Sequence, residues 1–265
     1  KAVAGILRFD AGEIYINGRS VKDAPLDCKR EIAYIPDNPD LYEFMSGIKY
    51  LNFIADIFGV GADDRAARIA DYAARFELTD ALALGDFLHT PLRLLSLGQR
   101  MRAELGGSLL HSPKLLFLDE PTIGLDAVSK LQLRDFLLSE NHAHGTTIML
   151  TTHDMEDISA LCRRVLVLGH GKKLFDGELP TLLARYDTMR TLRVRYAGEI
   201  TLSALPESVQ ISRDGDFYVL AYPQQQVPTD HILSLLQSAG PIAELTLHER
   251  SMDRMIADMY QEMAL

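Results

Sequence analysis

Cysteine is scarce in this 265-residue sequence. Cys28 and Cys162 stand apart, with no Cys-X-X-Cys spacing and no His/Cys cluster beside them, so neither a zinc site nor a disulfide framework is indicated. A reducing, cytosolic setting is the expectation that follows. Positive charge is short as well: Lys and Arg total 27 against 37 Asp and Glu, a net charge of -10, which excludes a dominant basic footprint for DNA or anionic lipid. Long hydrophobic runs are missing. Stretches such as Leu115–Leu118 and Val165–Leu168 are strand-sized and far below a bilayer span, so the chain is not expected to cross a membrane by itself. At Lys1 there is no initiator Met, charged leader or cleavage pattern, and Ala2–Leu7 reads as the end of an apolar helix, so a longer chain upstream is expected. There is no internal repeat or low-complexity tract, Pro223–Gln226 being no more than a loop. What is present is 47% apolar side chains, enough for one large core or two modest ones and too much for a small stapled module.

Ahead of position 185, short β-rich runs alternate with helical patterns. Glu13–Asn17, Glu31–Tyr34, Lys114–Leu118, Thr146–Leu150 and Arg164–Leu168 read as strands, which predicts an α/β domain. Lys114–Leu118 and Thr146–Leu150 are continuously apolar, the pattern of strands covered on both faces by helices. Both run into polar residues at their carboxyl ends, where open α/β sheets bind ligands. Between about Met45 and Ser112 the strand signals vanish, and Tyr50–Phe58, Asp63–Phe76 and Gln99–His111 carry helical spacing, which predicts an inserted helical subdomain over about 45–112. Beyond Gly177–Pro180 the texture changes: Thr191–Tyr196 and Ser208–Tyr222 read as strands, the latter folded at Asp214-Gly215, followed by helices at Asp230–Ser238 and Met252–Met263. The expected layout is a domain over 1–180 and a small α+β appendage over 181–265.

The most informative stretch is Leu115-Leu116-Phe117-Leu118-Asp119-Glu120-Pro121. Two adjacent carboxylates at a strand tip need a cation or a proton. Mg²⁺ takes oxygen ligands and keeps most of its waters, so Asp119 on the metal shell and Glu120 beside a water would suit nucleotide hydrolysis. A strand followed by an acidic helix start is the plainer alternative. Upstream, Leu95-Ser96-Leu97-Gly98-Gln99 precedes a helix, whose exposed N–H groups suit an anion, although Ser96 with Gln99 also fits a simple capping pattern. Downstream, Thr151-Thr152-His153-Asp154 follows an apolar strand and sets an imidazole at the same sheet edge as Glu120, for a phosphate or a water, or as a solvated loop residue. Between the two strands, Gly124-Leu125-Asp126 reads as a turn opening a helix.

In this order and spacing, these elements resemble the ATP-binding-cassette (ABC) ATPases over roughly Lys1–Gly177. Leu95–Gln99 resembles the signature motif, Leu115–Glu120 the Walker B strand, Leu125-Asp126 the D-loop and His153 the switch histidine. The resemblance implies a mostly parallel P-loop-NTPase-like sheet with an inserted helical subdomain, binding ATP and Mg²⁺. It implies Glu120 as general base, Asp119 as the Mg²⁺ carboxylate and His153 at the γ-phosphate. Ser96, Leu97, Gly98 and Gln99, with Asp126 and Asp37, fall on the nucleotide-binding side, the signature residues serving ATP held by the opposite subunit of a homo- or heterodimer.

Three departures accompany the likeness. Leu97 stands where the family commonly has glycine, while the Ser96 and Gly98 N–H donors remain. In Tyr34-Ile35-Pro36-Asp37-Asn38-Pro39-Asp40, Asp37 replaces the Q-loop glutamine, exchanging a neutral donor and acceptor for a carboxylate. The Gly-rich phosphate loop with its Lys and Ser/Thr is absent, since Gly171-Lys172 is followed by Lys173. Lys1–Gly12 resembles the segment that follows that loop, so the loop is expected upstream of Lys1; were Lys1 the true start, a catalytically silent cassette would be the reading.

What remains is structural. His142 and His144 have no further ligands nearby and read as a loop. Arg163-Arg164 and Lys172-Lys173 read as solvated surface, and Met252, Met255 and Met259 as a buried helix face. The resemblance implies an ATPase subunit on the cytoplasmic membrane face that powers separate permease chains, with Leu41–Phe58 docking them and no nucleic acid involved. The sequence around the signature and the appendage resemble exporter subunits. A soluble cassette ATPase of translation or repair is the alternative, against which stand the single cassette, the acidic balance and the lack of heptads.

Overall fold

The computed structural model describes residues 1–37, 42–75, 88–186, 189–198, 200 and 205–249. Asn38–Leu41, Phe76 and the expected helix Met252–Met263, with Met252, Met255 and Met259, lie outside the described residues. Compactness divides the chain into two units, Lys1–Leu161 and Cys162–Leu265.

The first unit opens with a helix-ending motif. The Ile6 amide bonds to the Lys1 carbonyl and Gly5 to Ala2, both at 3.0 Å, with Gly5 in the left-handed region at φ 71°, the Schellman pattern that closes helices. A small hairpin follows, β1 (Tyr15–Ile16) and β2 (Arg19–Ser20). The expected strand Glu13–Asn17 is shorter than its apolar pattern suggests, because Asn17 and Gly18 both take positive φ and form the two-residue turn. Then come α1 (Pro25–Arg30) and β3 (Ile32–Ile35), followed by α2 (Gly47–Phe58), α3 (Ala62–Arg75) and α4 (Leu97–Leu109). The unit closes with β4 (Leu115–Asp119), α5 (Ala127–His144), β5 (Thr147–Thr151) and α6 (Met155–Leu161).

Strands β3, β4 and β5 form a parallel sheet in that order, with Ile35 opposite Leu118 and Asp119 opposite Thr151. One face of β4 buries Leu116 and Leu118 against α2 and α4 in a core that includes Ile35, Leu105 and Leu109. Burying a leucine fully contributes about 1.5–3 kcal/mol, so this face pins the register. Leu115 and Phe117 on the other face pack on Ile16, Cys28 and Ile32. Helix α4 belongs to the same core as the sheet, and it approaches α2 closely because position 107 is glycine: a Cβ there would lie 2.9 Å from the Tyr50 ring. Double coverage was expected of both apolar strands and holds for β4. In β5, by contrast, exposed and half-exposed residues alternate, with Met149 48% exposed, since among the described residues it pairs on one side only. His142 and His144, expected in a loop, lie in the last turn of α5, which runs on to Gly145 in the left-handed capping conformation.

The second unit begins with an antiparallel hairpin, β6 (Arg164–Gly169) and β7 (Lys172–Glu178). Its turn is His170-Gly171, both at positive φ, so the Gly171-Lys172 pair is hairpin chemistry and not a phosphate cradle. Helix α7 (Leu179–Tyr186) follows directly, where the sequence predicted only a change of texture. Next come β8 (Met189–Tyr196), β9 (Gln210–Asp214), β10 (Phe217–Pro223), α8 (Thr229–Ala239) and β11 (Ile242–Glu249), giving an antiparallel sheet of order β11-β8-β10-β9. Its turn is Gly215-Asp216, one residue beyond the expected position, because Asp214 pairs with Phe217. Leu192, Val194, Leu220 and Tyr222 pack with Ile232 and Leu236 of α8 in a core of their own. Neither cysteine is in a disulfide.

Candidate active site at the strand ends

Strand β4 ends on Asp119, and its parallel neighbours determine what surrounds that carboxylate. The register places Tyr34 of β3 and Thr151 of β5 on the same sheet face as Asp119. The Thr151 hydroxyl donates to one carboxylate oxygen at 2.6 Å and the Tyr34 phenol to the other at 3.2 Å. These donors, Thr151 foremost, hold Asp119 below the usual carboxylate range against the opposing pull of burial. Burial and the bond to Asp119 push the Tyr34 phenol up to about 12, with Asp37 adding a smaller push. At neutral pH the pair is therefore a carboxylate and a protonated phenol. A carboxylate offers about four lone-pair sites, so Asp119 retains acceptor capacity for a hydrated cation. Among the described residues no cluster of three or more His, Cys, Asp or Glu side chains could hold a metal. A single carboxylate fits Mg²⁺ that arrives with nucleotide phosphates and keeps its waters.

Glu120 leaves the strand by a backbone turn. Its φ is 48°, in the left-handed region uncommon for a residue with a side chain, and its N–H is anchored on the Thr151 carbonyl at 3.0 Å and hydroxyl at 3.2 Å. The reversal brings the carboxylate to His153, whose Nδ1 lies 3.0 Å from each Glu120 oxygen. The bond to Glu120, reinforced by its charge, raises the His153 pKa above the ordinary 6.5. The protonated pair is complete at pH below the ordinary value and is lost as pH rises through the raised one. Glu120→Gln should therefore move the His153 titration midpoint down toward 6.5, read from its imidazole proton resonance. An unmoved midpoint would show that the two side chains do not pair in solution.

The signature-like residues form a second cluster. Ser96 caps α4 in a capping box: its Oγ accepts from the Gln99 amide at 3.3 Å, and the Gln99 side chain accepts from the Ser96 amide at 2.9 Å. The amides of Leu97 and Gly98 remain the donors at this helix start. Gly98 sits where a Cβ would come within 2.8 Å of Ser129 Oγ, and a Cβ on Gly124 would come within 3.0 Å of the Leu97 side chain. Ser129 is in turn held by Asp126, which caps α5 by accepting its amide at 2.9 Å and its hydroxyl at 2.7 Å. The amide bond foremost keeps the Asp126 pKa low. Helices α4 and α5 thus begin against one another, and Leu97 has a packing role on Gly124. Asp37 is exposed in the bend after β3.

The structure brings Asp119, Glu120 and His153 together, and gathers Ser96, Leu97, Gly98 and Gln99 with Asp126. Sequence reasoning missed Tyr34 and the role of Thr151, both detectable only through parallel register across three strands.

The family model described as ABC transporter matches residues 1–123. An ABC transporter ATP-binding protein of Nostoc sp. is 27% identical over 264 residues, covering 99% of this chain and 75% of that protein. One from Synechocystis sp. is 30% identical over 69% of this chain and 50% of its own length. The fluoroquinolones export ATP-binding protein of Mycobacterium tuberculosis is 32% identical over 75% of this chain and 62% of its own length. The chain thus spans between half and three quarters of these relatives. In fold it is similar to a solved ATP binding subunit of an ABC transporter, at a TM-score of 0.61 and 24% identity over 69% of this chain and 74% of that one. It is likewise similar to cbiO1 of Clostridium perfringens, part of the ABC transporter complex cbiONQ, at 0.59 and 24% over 69% and 72%. Residues 1–123 thus match the ABC transporter family, and the chain as a whole is similar in sequence and in fold to the ATP-binding subunits of ABC transporters.

Proposed function

We propose that this chain binds ATP and hydrolyses it to power transport, in the export direction, through separate permease chains. The observation that carries the chemistry is Glu120 held 3.0 Å from His153 beside the low-pKa Asp119. Glu120 orients the attacking water and accepts its proton, and His153 contacts the γ-phosphate. Asp119 would hold Mg²⁺ through its remaining lone pairs; bound there, the ion would neutralise phosphate charge. Ser96, Leu97, Gly98, Gln99 and Asp126 serve ATP across the interface of a second ABC subunit, and Asp37 lies toward the nucleotide at the Q-loop-like turn. Export is supported by the fluoroquinolones export relative.

Partner contact is assigned to the segment 41–58. Its described part exposes the large apolar side chains Tyr42, Phe44 at 80% and Ile57 at 59%, which a partner would cover. Among the described residues no helix is long and apolar enough to cross a membrane, and the reading places the subunit peripherally, on the cytoplasmic face. We assign the cassette to 1–180 and an accessory role to 181–265, supported by the separate core of β8, β10 and α8.

The test is phosphate release by the natural polypeptide reconstituted with its permease in vesicles, with and without Mg²⁺. ATP hydrolysis that disappears on chelation supports the reading, and no phosphate release above background overturns it. A cross-link map that places the permease away from 41–58 would remove the docking assignment.

A further inference from the structure

Behind Glu120 and His153 lies a buried charged cluster to which the hydrolytic reading gives no part. Asp157 of α6 is fully buried and Arg134 of α5 is 8% exposed. Arg134 donates from Nε to one Asp157 oxygen at 2.6 Å, and a terminal nitrogen lies 2.6 Å from the same atom. The other Asp157 oxygen accepts the hydroxyl of buried Thr122 and that of Thr152 at 3.5 Å. One turn earlier on the same face of α5, Lys130 holds Asp154 at 2.6 Å. Thr122 follows Glu120 by two residues, and Thr152 and Asp154 flank His153. A single helix face therefore holds the segment that carries His153, and Asp157 in turn reaches Thr122 in the segment that carries Glu120.

A buried ion pair is weak evidence for stability, because desolvation offsets much of its attraction, whereas fixing a unique geometry is a use such pairs can serve. The bonds here tie the segment after β4 to the segment after β5 through one carboxylate. We propose that Arg134, Asp157 and Thr122 are positioning residues for ATP hydrolysis: Asp157, held by Arg134, anchors Thr122 and thereby fixes Glu120 in register with His153. The proposal rests on the hydrolytic reading of Glu120 and deepens it. A loss of register near 1 Å is enough to slow a positioned reaction substantially.

The test compares Thr122→Val, which keeps the shape and deletes the hydroxyl, with Thr122→Ser, which restores it, in the natural polypeptide assembled with its permease. The expected result for the valine variant is a fall in kcat of about tenfold at unchanged KM for ATP, with recovery in the serine variant. The His153 midpoint, assigned by its loss in His153→Gln, should fall in the valine variant and recover in the serine one. A side chain that merely filled space would move neither the kcat and KM split nor the histidine titration. Wild-type values for both in Thr122→Val would overturn the proposal. If the wild-type protein releases no phosphate while the His153 midpoint still moves, the hydrolytic reading falls and the coupling of Thr122 to the Glu120–His153 pair stands. A silent wild type with an unmoved midpoint overturns both.

Discussion

Glu120→Gln should slow ATP turnover by about a hundredfold or more, the range over which a positioned general base acts, while leaving ATP binding intact and letting the closed dimer accumulate. The amide is close in size and shape to the carboxylate, and the bonds that aim residue 120 come from its backbone: its N–H sits on the Thr151 carbonyl and hydroxyl. The substitution therefore removes proton acceptance without removing position. Single-turnover phosphate release, equilibrium binding of ATP and light scattering check the three parts. Unchanged hydrolysis would overturn Glu120 as base. Loss of ATP binding would show instead that the carboxylate holds the site together through His153.

Arg134→Met should destabilise the first unit by about 3–5 kcal/mol, because it strands the Asp157 carboxylate in a place with no access to water. Adding Asp157→Asn should recover most of the loss: the neutral amide oxygen still accepts from Thr122 and no buried charge is left behind. Urea unfolding followed by far-UV circular dichroism checks this, the chain having no tryptophan. If Arg134→Met alone loses less than about 1 kcal/mol, the ion pair is not closed to solvent and the clamp drawn from it is too loose to position anything.

The strongest signals in the chain are local ones. The apolar run ending in Asp119 and Glu120, the Ser96–Gln99 cap and the apolar faces of α2, α3 and α4 are all visible within windows of a few residues. The structure puts them where the windows place them, with the cap box present at Ser96. What stayed hidden depends on residues distant in sequence. Tyr34 and Asp119 are 85 residues apart and meet only because β3 and β4 run parallel in one register. An apolar run such as Thr146–Leu150 reads alike in a covered strand and in a half-exposed one, and neighbours decide which it becomes. Helices α1, α6 and α7 are too short, at six to eight residues, to show a period, and β7 is too polar to show alternation. His142 and His144 were misplaced because the stop signal, Gly145, lies beyond them. Arg134 and Asp157 are invisible as a pair until α5 and α6 pack.

The left-handed backbone at Glu120 narrows what evolution can place there, and it does so unevenly. Branched side chains are barred by their Cβ substituents, whereas glycine, asparagine and aspartate adopt this conformation readily. Aspartate keeps the charge but is one methylene shorter, so its oxygens would draw back from His153, now 3.0 Å away. Position 120 is thus permissive in conformation and intolerant in reach: among acidic residues, the one less suited to the backbone is the one long enough for the imidazole.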